Sequence, residues 1–69
     1  MFSEARLKAQ MIIKGVKHNE LAAYLGINTS TLYRKIKNDG DFSREEISKI
    51  VDILGIDDPK SIFFADELA

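Results

Sequence analysis

Cysteine is absent from this chain, and histidine and proline occur once each. Without cysteine there is no disulfide, and a zinc site would have to be assembled from one histidine and carboxylates. No run of 18 or more apolar residues is present, which excludes a transmembrane helix. The stretch Met1 to Gln10 carries charges throughout and lacks the apolar core of a secretory leader, so a soluble, cytoplasmic protein is expected. There is no nucleophile–base pair, no glycine-rich phosphate loop and too little chain for an enclosed cleft. Neither catalysis nor a cofactor is expected. None of the apolar segments shows the strict alternation of a β-strand.

What remains is a chain of 69 residues, 45% hydrophobic and 30% charged, which is the composition of an ordinary globular domain. One domain spanning residues 1–69 is expected, close to the lower size limit for independent stability. With no disulfide or metal to help, that stability must come from close packing or self-association.

The net charge of −1 is an unpromising start for a partner of nucleic acid, but the charge is unevenly spread. Residues 1–38 carry seven basic groups (Arg6, Lys8, Lys14, Lys17, Arg34, Lys35, Lys37) against Glu4 and Glu20, a balance of +5. Residues 39–69 carry three basic groups against nine acidic ones, a balance of −6. A polyanion responds to a local basic surface, because only cations that face phosphates release counterions.

Gly15, Gly26, Gly40, Gly55 and Pro59 divide the chain into five segments with helical periodicity. The first runs from Ser3, an N-cap, to Lys14, with Leu7, Met11 and Ile12 on its apolar face. The second, His18 to Leu25, groups Leu21, Ala22 and Leu25 and ends at Gly26, where a left-handed residue is commonly required. The third starts from Asn28, whose side chain is placed to accept from the amides of Ser30 or Thr31, and its inner stripe is Leu32 and Ile36. The fourth opens with the capping box Ser43-Arg44-Glu45-Glu46 and carries Ile47, Ile50, Val51 and Leu54 at i, i+3, i+4 and i+7. The fifth is short, with Asp57 or Asp58 as cap, Pro59 at its first position, and Ile62 and Phe63 inward.

Residues 18–37, HNELAAYLGINTSTLYRKIK, carry the functional signal. Two short helices joined through Gly26 must cross steeply and touch closely, which calls for a small residue at the contact and a glycine at the turn. Ala22 and Gly26 supply these, and Leu21, Leu25, Ile27 and Leu32 fill the space around them. The second helix then stands clear of the body, free to enter a DNA major groove.

The blocks Glu20-Leu21-Ala22, Leu25-Gly26-Ile27, Ser30-Thr31-Leu32 and Leu54-Gly55-Ile56 resemble those of the Cro/CI-type (lambda-repressor-like, XRE) helix-turn-helix family. The likeness is to its small phage- or prophage-encoded members. It implies an all-α, five-helix lambda-repressor-like domain that binds double-stranded operator DNA and regulates transcription beside the nucleoid. It further implies that Thr29, Ser30 and Tyr33 face base edges and that Arg34 reaches a base or a phosphate. Asn28 stands at the same helix start, and Thr31 contacts the backbone or a thymine methyl. Lys17, His18, Lys37 and Asn38 meet phosphates.

The chain departs from the family at four positions. His18 stands where glutamine is usual. Lys17 replaces a Ser or Thr cap, which weakens that helix start by about 1 kcal/mol. Lys35 replaces an apolar residue, its stem laid along the core with the charge outside. Asn38 takes the place of a common glycine, and asparagine tolerates the left-handed conformation.

Structural readings stand beside these. Tyr33 can instead cover the edge of the second helix, Tyr24 is expected to be partly buried, and Asp57-Asp58 reads as a cap. At the C-terminus, Phe63 and Phe64 either close the core together or, with Leu68, form a homodimer contact that would suit paired half-sites. An alternative to DNA binding is a protein-interaction module, such as an antirepressor, that keeps the fold.

Overall fold

A computed structural model describes residues 1–65, and five helices follow one another without strands among them. They are α1 (Glu4–Lys14), α2 (His18–Leu25), α3 (Thr29–Lys37), α4 (Arg44–Leu54) and α5 (Lys60–Phe63). The expected segments are therefore all present. Leu68 lies outside the described residues.

Local chemistry sets most of the boundaries. Ser3 Oγ accepts from the Arg6 amide at 3.3 Å to start α1. Ser43 and Glu46 form the full reciprocal box at the start of α4, at 3.1 and 2.8 Å. At α2 only half of such a box exists. The Lys17 amide donates to Glu20 Oε1 at 2.9 Å, but an ammonium has no lone pair to return the bond. Gly26 ends α2 at φ 75°, with Ile27 N–H bonded back to the Ala22 carbonyl, which turns the chain sharply into α3.

The core is centred on Leu7, Leu21, Leu32, Ile50 and Leu54, all fully buried. Helix α2 packs on both α3 and α4, and α1 packs on α4 and α5. The terminal amide of Gln10 reaches across from α1 to cap the Leu54 carbonyl at 2.9 Å. At one end of the core, the rings of Phe2, Phe42 and Phe63 meet pairwise with centroids 5.8 to 6.2 Å apart. The backbone at residues 1–3 is clasped to α5 by the pairs Ser3 N–H to Ile62 O and Ala65 N–H to Met1 O.

Several expectations need correction. Ile12 is not on the apolar face of α1; it is 80% exposed, and its neighbour Ile13 is 72% exposed. One helix turn cannot direct both Met11 and Ile12 toward Leu7, because they lie about 100° apart around the axis. Tyr24 is exposed rather than packed. Pro59 precedes α5 instead of opening it, and the start is held by the Asp58 carbonyl, which accepts from the Ser61 amide and hydroxyl. The left-handed residues after α3 are Asp39 and Gly40, whereas Asn38 stays at φ −94°. Phe63 belongs to the core and is closed to a second copy, while Phe64 is 46% exposed.

Candidate nucleic-acid interface

Helix α3 buries Leu32 and Ile36 against the body and turns its other side outward. Ser30, Tyr33, Arg34 and Lys37 follow one another at i, i+3, i+4 and i+7, so they form one stripe along that outer side. All four are exposed, and Thr29 and Thr31 flank the stripe half-buried. The side chains of Thr29, Ser30, Thr31, Tyr33 and Arg34 form no hydrogen bond within the described chain, which leaves their polar groups for an external partner.

The start of α3 is more open than expected. Asn28 occupies the N-cap position with extended backbone, but its side chain makes no capping bond. The amides of the first turn therefore point outward without partners, together with the Asn28 amide group. The start of α2 meets α3 through the contact of His18 with Tyr33; the amides of His18 and Asn19 also lack partners, and exposed Lys17 carries no ion pair among the described residues. Two helix N-termini with unpaired donors and one free ammonium suit phosphate oxygens.

His18 sits differently from the expected phosphate contact. Its ring is half-buried and stacks on Tyr33, with centroids 4.7 Å apart and planes 15° from parallel. Its Nε2 is enclosed and has no hydrogen-bond partner, so a contact with phosphate through this nitrogen would require the ring to move. Tyr33 remains 45% exposed, so packing against α2 and an outward-facing surface coexist in one side chain.

The basic side chains divide into two groups. Arg34 and Lys17 are free of ion pairs among the described residues. Lys35 is committed: its stem lies along the body, and its ammonium pairs with Glu46 at 3.3 Å and donates to the Asp41 carbonyl. Lys37 pairs with the Glu4 carboxylate at 3.0 Å, and Lys8 shares the same carboxylate. Asn38 donates to Asp41 at 3.4 Å. Nothing local in sequence signals the Glu4–Lys37 pair, whose members are 33 positions apart.

Two carboxyls are shifted below the usual value near 4.5. For Glu4 the main cause is the hydrogen bond from Lys37, followed by that from Lys8. For Glu46, burial opposes ionisation but is outweighed by the Ser43 amide and the Lys35 ammonium. A lowered folded-state pKa means that each carboxylate stabilises the fold fully above about 4.5. That contribution is lost as pH falls through the lower folded value. Glu46→Gln should therefore destabilise the protein in urea unfolding at pH 7, and the deficit should shrink toward pH 3. Glu4→Gln releases Lys37 and Lys8, and in a duplex titration at low salt it should tighten binding a few-fold, an effect that fades as salt is raised. Unchanged binding at low salt would mean that Lys37 does not meet the phosphates.

Over residues 6–63 the chain matches the family described as Cro/C1-type HTH DNA-binding domain. No curated protein and no solved structure matches it.

Proposed function

The chain belongs to the Cro/C1-type helix-turn-helix DNA-binding family, and on that premise we propose that it is a sequence-specific transcriptional regulator of the phage or prophage repressor or Cro-like kind. The observation that carries this reading is the outer stripe of α3: exposed Ser30, Tyr33 and Arg34, whose polar groups have no hydrogen bond or ion pair among the described residues, beside Lys17, which has no ion pair there, and two open helix starts. In this reading α3 lies in the major groove. Thr29, Ser30 and Tyr33 meet base edges and Arg34 places its fork on guanine. Thr31 and Asn28 sit at the groove wall, and Lys17, Lys37 and Asn38 hold phosphates. His18 adds its ring to this surface, with Nδ1 as the nitrogen left to face the backbone. No cofactor enters the reading.

Two copies on half-sites about 34 Å apart would present two such helices. Among the described tail residues, Phe64 has exposed surface for a two-fold contact, whereas Phe63 is buried in the core.

A second reading, a protein-interaction module, is favoured by two observations. Glu4 folds back onto Lys37 and partly neutralises the basic face, and exposed Ile12 and Ile13 offer apolar surface on α1. Titration of labelled duplex at increasing salt separates the two. The DNA reading expects binding at low salt and a log–log salt slope of roughly −2 to −4, the mark of a few phosphate contacts. Absence of duplex binding at low salt by folded protein would favour the module.

A further inference from the structure

We propose that Tyr33 is a specificity-determining residue that reads a thymine 5-methyl group, and that His18 is the positioning residue that holds its ring for the purpose. This assignment rests on the DNA-binding reading above and deepens it.

The stack joins the first residue of α2 to the fifth of α3. Parallel contact at 4.7 Å covers one face of the tyrosine ring and leaves its other face and edge to the outer stripe, between Ser30 and Arg34. The enclosed His18 Nε2 makes no hydrogen bond, so the imidazole serves here as a flat packing surface and not through that nitrogen. Leaving a polar atom buried and unpartnered is unfavourable. What the contact returns is a fixed aromatic ring on a helix that otherwise carries flexible or short side chains. A side chain already held in one rotamer loses less freedom when it docks. The major groove presents one apolar feature at a base edge, the thymine methyl, and an immobilised ring with exposed apolar surface is its complement.

The test uses the whole chain and its preferred duplex, with each thymidine replaced in turn by 2′-deoxyuridine, which removes the methyl and keeps the base pair. Wild-type protein should bind about fourfold more weakly at one thymine position per half-site, the value of burying one methyl group. Tyr33→Ala should be indifferent to that replacement, and Tyr33→Phe should still respond to it. His18→Ala, checked for an unchanged fold by circular dichroism, should lose most of the discrimination, and His18→Phe should restore it by supplying a ring without the nitrogens. Binding that is indifferent to uracil at every position overturns the assignment alone. Undiminished discrimination by His18→Ala overturns the positioning role. Failure to bind any duplex overturns the DNA-binding reading and this assignment with it.

Discussion

Gly40→Ala is expected to cost about 3 kcal/mol or more of folding stability, measured by urea unfolding. Two effects add. Gly40 sits at φ 66°, directly after Asp39 at φ 55°, so the chain turns through two left-handed residues in succession. An L-residue in that region pays about 1–2 kcal/mol. The second effect is steric, for a methyl group at Gly40 would overlap the Phe2 side chain. Phe2 cannot retreat cheaply, because its ring is buried against Phe42 and Phe63 and its amide donates to Asp39 Oδ1 at 3.0 Å. A chain of 69 residues has a total stability of about 3–10 kcal/mol, so such a loss brings it close to unfolding at physiological temperature. The mechanism has its own check. In the double variant Gly40→Ala/Phe2→Ala the steric part vanishes, so the two losses should sum to more than the measured total. A single variant as stable as wild type would contradict the account of this turn.

Arg34→Ala is expected to erase roughly five- to 150-fold of the preference for the correct sequence, which is the 1–3 kcal/mol typical of a bidentate arginine–guanine contact. Arg34 is exposed and without an ion pair among the described residues, so its five donors are uncommitted. Arg34→Lys should not restore discrimination, because an ammonium is a point charge and not a fork. Lys37→Ala should act differently. It should weaken preferred and scrambled duplexes alike and reduce the salt slope by less than one unit, since Glu4 already offsets part of that charge. The measurement is fluorescence anisotropy on both duplexes for each variant. If Arg34→Ala weakened both duplexes equally, Arg34 would be a phosphate contact and another side chain would carry the reading of bases.

The helices were legible because their boundaries rest on chemistry within four residues: Ser3 over Arg6, Ser43 with Glu46, and glycine after α1, α2 and α4. The outward stripe of α3 was legible for the same reason, since once Leu32 and Ile36 are assigned inward, helical geometry places Ser30, Tyr33, Arg34 and Lys37 outside. Contacts between residues far apart in the chain left no such trace. Phe2 and Phe42 join Phe63 because α1, α4 and α5 converge at one end of the core, and Glu4 reaches Lys37 across the same kind of gap. At Met11, Ile12 and Ile13 the sequence offers three adjacent apolar residues, and only the packing partner selects Met11 as the buried one. The sequence predicts a side-chain cap from Asn28 on α3, but only its backbone holds the N-cap position and the side chain is unbonded. The stack of His18 on Tyr33 depends on the crossing of α2 and α3, which a one-dimensional pattern does not specify.

Whether the outer side of α3 reads DNA sequence is tested by selecting bound duplexes from a randomised pool with the wild-type chain. A defined consensus should be enriched, arranged as two half-sites with two-fold symmetry and containing thymine at a fixed position in each. Folded protein that retains duplexes at low salt but enriches no sequence above the starting pool would contradict it.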